Sequence, residues 1–534
     1  MKFHFIIPVW GEHYLSVLKT ILFPLLLSKN NLRALKSKPY ITFCVKEEEQ
    51  KQLLGEELAY IQQIAEVHFL YIDYLFDQPL VVSKFNENLL RMTACHNIAL
   101  KRVNQKDVGH VFLMPDSILF DGALCNLENL IETNRDKKVF MSYGVHAELM
   151  ALEKLFNKYR IKNKEYTSIQ IDYATFVHAV FENLHAMSAV SFVDSKNYFS
   201  TGNMFFRVAD GVVLKMNVMH PLVVFLDDDF NPIPDGLTWD NSHFIRDNIK
   251  DSSEIFYIED TRDFFLCSVD TNLQKSIFYQ NLNREFNFLE NSMHCKEHID
   301  PFFLQTSFLK EGKVFFKSNS TFSNEMAKIK YFEHKTLLII SILNECFEKT
   351  INWTTLQQMV LEEDKTQLIA FMQKLEILYR KLEIKKKSLY KKELTVLINL
   401  LKKNEWNKLL ILTQLERVFN ILGEGNGFIS YATQLKEKIV QLKSLVKKKK
   451  KIALFGAGDD TNILLKLLSW GIADICVIFD DSIHKQGKLI QGIPVISIDS
   501  YKENLDCIVI NSSLYKEKIY EQLMCKDLKV EVYK

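Results

Sequence analysis

The sequence predicts an α/β protein of several domains: an N-terminal, mostly parallel sheet covered by helices, a helical middle region and a small C-terminal α/β unit. Three observations carry this. Short apolar runs alternate with longer amphipathic ones up to Met114; glycine is nearly absent and lysine abundant from about 270 to 446; and a second strand and glycine turn open at Ile452. Such alternation signals βαβ units, whose crossovers lay helices over parallel strands. A chain of 534 residues also exceeds what one hydrophobic core holds.

Taken in order, Phe3 to Val9 reads as a strand, Tyr14 to Leu27 as a helix, and Tyr40 to Val45 as a strand. Glu47 to Ile64 reads as a helix and Val67 to Ile72 as a third strand. The spacing of Leu89, Met92, Ala99 and Val103 predicts a helix over Asn86 to Val103, and Gly109 to Met114 a fourth strand that stops just before Asp116. Residues 139 to 265 continue with short strands, a helix around Tyr173 to Leu184 and polar turns. The triplet Asp227-Asp228-Asp229 among them reads as a solvated turn. Leu356, Met359, Leu368, Met372, Leu375 and Leu382 fall at helical spacing, and Leu394 to Leu422 gives another pair of helices. Their polar faces carry charge without clustered His or Asp, as in a spacer or a layer through which the chain forms homo-oligomers. Lys447 to Lys451 marks the next boundary. Ile452 to Gly458 then reads as strand plus glycine turn, Asp459 to Leu468 as a helix, and Ile475 to Phe479, Val495-Ile496 and Cys507 to Ile510 as strands. Domains are expected at 1–268, 269–446 and 447–534.

Bulk composition excludes several classes. Lysine plus arginine (67) nearly cancels aspartate plus glutamate (66), so net charge proposes no nucleic-acid partner. Nine cysteines without a Cys-x-x-Cys pair give neither a disulfide framework nor a zinc site and fit a reducing compartment. Met1 to Val9 and Ile21 to Leu27 are too short to span a membrane and lack the flanks of a signal peptide. The expectation is a cytoplasmic protein without a transmembrane segment, with room for peripheral attachment at the inner face of a membrane.

A buried strand that ends at an acidic residue, inside a βα-alternating domain, is where α/β folds place ligands. Three motifs surround that point. Ile6-Ile7-Pro8-Val9-Trp10-Gly11-Glu12-His13-Tyr14-Leu15 resembles the opening strand and turn of GT-A glycosyltransferases of the family-2-like, bacterial surface-glycan type. Thr93-Ala94-Cys95-His96-Asn97-Ile98-Ala99-Leu100 resembles their asparagine-bearing helix, and Val111 to Leu119 stands in the place of their Asp-x-Asp motif, with Met114 where the first aspartate would be. The resemblance implies a glycosyltransferase that moves a sugar from a nucleotide-sugar donor to a glycan, glycolipid or glycoprotein acceptor. The donor would contact Pro8, Trp10, Glu12, Asn97, Asp116 and Ser117. A divalent Mn or Mg ion would sit at Asp116; Met114 cannot ligate a hard ion, so His220 would complete the shell. Inverting transfer also requires a carboxylate to take the acceptor's proton. Asp240, beside Trp239, is the first candidate, with Glu148 and Asp121 as rivals. As ordinary structural residues, Asp116 would cap the following helix, His220 would be a hydrogen-bonded core histidine, and the three carboxylates would be surface or capping groups.

The C-terminal turn Gly456-Ala457-Gly458-Asp459-Asp460-Thr461 is part of a Gly-x-Gly-x-x-Gly fingerprint, with Thr461 replacing the last glycine. Gly456 and Gly458 would let a phosphate approach the backbone, and Asp480 would bond a ribose hydroxyl. Asp459 and Asp460 put negative charge where a diphosphate would lie, so NAD is not expected. Phe479-Asp480-Asp481 followed by Lys485 to Val495 resembles the Rossmann-like nucleotide-binding domain of polysaccharide-biosynthesis proteins and some sugar methyltransferases, over residues 451–534. Two alternatives stay open: a nucleotide-sugar-modifying or NAD-binding enzyme acting through this domain, or a degenerate, non-catalytic glycan-binding or scaffold protein, which the loss of the first aspartate favours.

Overall fold

The computed structural model describes residues 1–76, 84–103, 107–199, 202–216, 219–227, 229–233, 239, 242–270, 285–298, 310–316, 326–346, 360, 362, 366–371, 373, 387–402, 408–422, 438–442, 444–446, 451–458, 461, 464–465, 475–482, 485–501, 504–511, 516–526 and 530–533. It is a mixed α/β protein with several sheets. The chain divides into two compact units. The first comprises Met1–Phe192, Asn203–Leu273 and His298–Ile329, and the second Val193–Gly202, Gln274–Glu297 and Lys330–Lys534.

The strands of the first unit are β1 (Lys2–Pro8), β2 (Tyr40–Val45), β3 (Glu66–Tyr71), β4 (Val108–Phe112), β5 (Ser117–Ile118), β6 (Val139–Ser142) and β7 (Gly144–Glu148). They continue as β8 (Arg160–Lys162), β9 (Thr167–Ile169), β10 (Met204–Val208), β11 (Gly211–Lys215), β12 (His220–Val224), β13 (Ile255–Tyr257), β14 (Leu266–Asp270) and β15 (Gly312–Phe315). Seven of them form one sheet in the order β13-β6-β12-β4-β1-β2-β3. β4, β1, β2 and β3 run parallel, as the sequence predicts, and β12 enters antiparallel between β4 and β6. All six residues of β2 are buried, as a strand covered by helices on both faces requires. Where β12 pairs with β4, side chains cover Gly109 so closely that a Cβ there would lie 2.9 Å from Val223 Cγ1 and 3.0 Å from Phe225 Cζ.

Two smaller sheets flank this one, β5-β14-β7 and β10-β11-β15, with β8 and β9 as a separate ribbon. β15 corrects the expectation that everything from 270 to 446 is helical. Four residues hydrogen-bonded to a strand about a hundred positions earlier leave no local period to read. The helix expected over Glu47 to Ile64 is two, Glu47–Leu53 and Glu56–Ile64, separated at Leu54-Gly55. The one expected over Tyr14 to Leu27 runs without a break as Glu12–Val17, a π turn Leu18–Leu22 and Phe23–Leu26, and Pro24, which has no N–H to give the ladder, follows directly on the π turn.

A buried imidazole chain crosses the parallel sheet. His4 Nδ1 lies 3.0 Å from His110 Nδ1, and His4 Nε2 lies 2.8 Å from Thr42 Oγ1. One Nδ1 must donate and the other accept, so the pair is held neutral. Burial, then the neighbouring His110 and His68, lowers His4 to about 2, and burial lowers His110 to about 4. In the unfolded chain both would protonate near 6.5. Their stabilising contribution is therefore complete above that pH and is lost as pH falls from about 6.5 toward 4. Amide exchange at β1 and β4 should accelerate steeply over this window, and His110→Asn should flatten the dependence while lowering stability at neutral pH.

In the second unit, helices Lys387–Lys402 and Lys408–Leu422 form a packed pair, with Gln414 Nε2 donating to the Glu393 carbonyl at 2.8 Å. Leu368, one of the helical-spacing residues upstream, is buried; Leu356, Met359, Met372, Leu375 and Leu382 lie outside the described residues. β16 (Ile452–Phe455), β17 (Ile475–Phe479), β18 (Leu489–Ile490), β19 (Ile493–Ile496), β20 (Cys507–Ile510) and β21 (Glu531–Tyr533) form a sheet in the order β18-β19-β17-β16-β20-β21. All but β18 run parallel, and the strand order reverses at β16. The helix expected over Asp459 to Leu468 is described only at 461, 464 and 465, which are helical.

Candidate functional site

Parallel strands deliver their C-terminal ends to one edge, and there the first unit opens a cavity of about 450 Å³. β1 contributes Pro8 and, just beyond it, Trp10; β4 contributes Phe112 and the turn that follows. The turn is closed by Ser117, whose N–H donates to the Met114 carbonyl at 3.0 Å while its Oγ accepts from Met114 N at 3.0 Å. This leaves the Asp116 side chain on the cavity wall and sends the Asp116 carbonyl into β14, where it accepts from Val269 N at 3.0 Å. Because β12 is antiparallel, its first residue, His220, arrives at the same edge. Gly144 makes room for it, since a Cβ there would stand 3.1 Å from His220 Cδ2.

The floor is the sheet β5-β14-β7, and its register arranges the polar groups in rows. Ser117 pairs with Ser268 and Ser268 with His146; Leu266 pairs with Gly144 on one side of that row, and Asp270 with Glu148 on the other. Residues in register share a face, and so do residues two apart on a strand. The opposite wall is aromatic. Trp239 stacks on Phe112 at 5.7 Å with 20° between the rings, and the buried His96 sits edge-on to both. Trp10 packs against Phe76 at 5.9 Å.

The electrostatics of this wall follow from burial. Burial pushes Asp116 up to about 7, and the nearby Asp270 adds to the rise. His146 is lowered to about 4 by burial, then by His220 and His185, with Asp270 acting the other way. The Tyr14 phenol is raised by burial and by the Asp116 and Asp270 carboxylates. Among the described residues no lysine or arginine lines the cavity. Nor, among the described residues, do three His, Cys, Asp or Glu side chains gather to hold a metal ion. Asp116 and His220 share the cavity, but the two alone do not make a metal shell.

Of the residues expected at the site, the structure brings together Pro8, Trp10, Asp116, Ser117 and His220. Glu12 is exposed in the first turn of its helix and off the wall. Asn97 is also off the wall: its amide holds the Ile233 backbone, donating to the carbonyl and accepting from the N–H at 2.8 Å each. Glu148 lies one row out from His146 and stands at the N-cap of helix Leu149–Lys158. Asp240 lies outside the described residues. Asp121 receives the N–H and Nδ2 of Asn30 at 2.8 and 2.9 Å, a clamp between loops, and Asp227 pairs with Lys138 at 3.0 Å. Sequence reasoning passed over His146, Asp270, Tyr14 and Ser268. Alternation along Gly144–Glu148 puts His146 on the face that carries Glu148, a readable signal; Asp270 carries none, because only sheet pairing brings it there.

In the second unit the glycine turn is closed upon itself. Gly456 has φ 109°, a value that favours glycine, and its N–H donates to Phe479 O at 2.8 Å. Asp480, expected to face a ribose, accepts instead from Ala457 N at 2.7 Å and Ser482 N at 2.9 Å, with Lys485 Nζ 3.4 Å away. Thr461 Oγ1 donates to the Gly456 carbonyl and accepts from Asn511 Nδ2. Gly458 has open space around its Cα. The carboxylate of Asp480 thus holds a backbone donor that a phosphate at this turn would use.

Among the described residues no helix is long and apolar enough to cross a membrane. Comparison with known proteins matches residues 448–534 to a family model described as C2185-like, N-terminal. No curated protein matches the chain at a significant level. Among solved structures, TarS of S. aureus is similar over 27% of this chain and 22% of its own, at 15% identity and a TM-score of 0.18. Mouse xyloside xylosyltransferase 1, by name a glycosyltransferase, is similar over 30% of this chain and 58% of its own, at 14% identity and a TM-score of 0.18. The chain therefore spans less than two thirds of either, and the family match is confined to the C-terminal sheet.

Proposed function

We propose that the first unit binds a nucleotide-sugar donor in this cavity and transfers the sugar to a hydroxyl of a glycan, glycolipid or glycoprotein acceptor. The observation that carries the reading is the carboxylate of Asp116 set after β4 in a cavity walled by Trp10, Tyr14 and Trp239. Aromatic faces suit a base and the apolar faces of a sugar, while Asn88, Ser142, Ser268 and His220 offer bonds to hydroxyls. Charge developing on the departing diphosphate must be offset. The cavity's own means are hydrogen bonds from the ring N–H groups of His146, uncharged at neutral pH, and of His220; a divalent ion at Asp116 is what the family resemblance would add.

Titration calorimetry of uridine, guanosine and cytidine diphosphates, with and without Mn, tests this. One of the three should bind, and Asp116→Ala should change its affinity by at least about tenfold, roughly 1.4 kcal/mol. The sign separates two modes. Without metal, binding should strengthen as pH falls through about 7, because protonated Asp116 no longer repels the diphosphate. If Mn bridges the two, binding should strengthen as pH rises through the same value. Absence of binding under all conditions would sink the proposal, and NAD binding abolished by Gly456→Val would move the activity to the second unit.

A further inference from the structure

We infer that Asp270 is the base of this transfer, the carboxylate that takes the proton from the acceptor hydroxyl. The inference rests on the transfer reaction proposed above and adds to it a residue outside the motifs that suggested the reaction. Three observations converge. First, β14 alternates so that Leu266, Ser268 and Asp270 share one face, and Leu266 and Ser268 both line the cavity. Asp270 continues that face by one step, just beyond the residues that line the cavity. Second, the Asp116 carbonyl is fixed to Val269 N at 3.0 Å, so the two aspartates are tied through adjoining backbone rather than by a loose loop. Third, Asp270 acts electrostatically on three separate lining groups, Asp116, His146 and Tyr14, which reach the cavity from β4, β7 and the first helix. A carboxylate felt by all three lies close to the space they line.

The other carboxylates are less well placed. Asp116 sits in the turn after β4, where the donor's diphosphate is expected. Glu148 pairs in register with Asp270 but belongs to the N-cap of the following helix, one strand further from Asp116. Asp121 is committed to Asn30.

The step balances without a further reactant. The acceptor oxygen attacks the anomeric carbon and forms the new C–O bond as the bond to the diphosphate oxygen breaks. The nucleoside diphosphate leaves with the electron pair, and the hydroxyl proton passes to an Asp270 Oδ and then to solvent. Single displacement inverts the anomeric centre.

Azide provides the test, because it is a nucleophile with no proton to surrender. Full-length chain is incubated with UDP-glucose, UDP-N-acetylglucosamine and GDP-mannose, and release of nucleoside diphosphate is followed with water, then azide, as acceptor. Against the donor that wild type cleaves, Asp270→Ala and the same-sized Asp270→Asn should lower release to water by about a hundredfold to ten-thousandfold. Donor affinity by calorimetry should stay within about threefold. Azide should restore release in Asp270→Ala and give a glycosyl azide of inverted configuration. Wild-type hydrolysis in either variant would overturn the assignment, as would failure of azide to restore release while donor still binds, or loss of donor binding in Asp270→Asn. A wild-type chain that binds none of the three donors or the free diphosphates would instead remove the transfer reading itself, an outcome seen before any variant is made.

Discussion

Asn31→Ala should destabilise the first unit by on the order of 3 to 5 kcal/mol, the largest effect expected of any single side-chain truncation outside the apolar core. Asn31 is fully buried and ties its own turn to the segment 120–124. Its Nδ2 donates to Leu25 O at 3.0 Å, Ser28 Oγ at 2.8 Å and Phe120 O at 3.1 Å. Its Oδ1 accepts from Gly122 N at 3.2 Å and Leu124 N at 3.0 Å. Those two N–H groups open helix Ala123–Thr133, whose N-cap is Gly122, a residue with no side chain to offer. Asn31 therefore caps that helix from about ninety residues away; alanine would strand the two N–H donors and leave Leu25 O and Phe120 O with only their backbone partners, Ser28 N and Ala123 N. Urea unfolding should show the midpoint falling with an unchanged slope. Asn31→Asp, which keeps the acceptor and loses the donors, should fall between wild type and Asn31→Ala.

Gly312→Ala should damage stability and the cavity together. A Cβ at 312 would lie 2.8 to 2.9 Å from three atoms of the Tyr143 ring, below any tolerable contact. Tyr143 is fully buried and lines the cavity, so neither partner can yield into solvent. Either β15 separates from β11 or the ring is driven toward the ligand space, at a cost of about 2 to 3 kcal/mol. Melting temperature should fall and nucleoside-diphosphate affinity with it. Pairing Gly312→Ala with Tyr143→Leu should recover part of both losses, a coupling that two independent sites would not show. Equal additive losses in the double variant would mean the contact is relieved elsewhere.

The parallel half of the fold could be read from local pattern because its strands are short, apolar on both faces and separated by amphipathic helices. Tyr40–Val45, Ile475–Phe479 and Cys507–Ile510 have the predicted ends, since a polar or turn residue bounds each. The sequence was silent wherever pairing is remote. β12 reads as an apolar run like its neighbours, and nothing in His220–Val224 says that it runs against β4. β15 lies among helical patterns and is a strand only because β11 offers an edge. At the site, the groups on or just after β1 and β4 were legible, since strand ends carry ligands in such folds. Asn97 misled, for an asparagine on a helix advertises hydrogen bonding but not its partner. Asp270 could be recognised only once register placed it one row from His146.

The pairing of β15 with β11 also dictates how the first unit can be cut from the chain. A fragment that stops at 268 would sever β14 before Val269, which anchors Asp116, and before Asp270. It would also leave β11 with a bare edge and Tyr143 without the glycine backbone on which its ring rests. A fragment meant to be studied alone should extend past Phe316, and a protease that nicks the chain near 270 need not release the first unit so long as β15 stays bound.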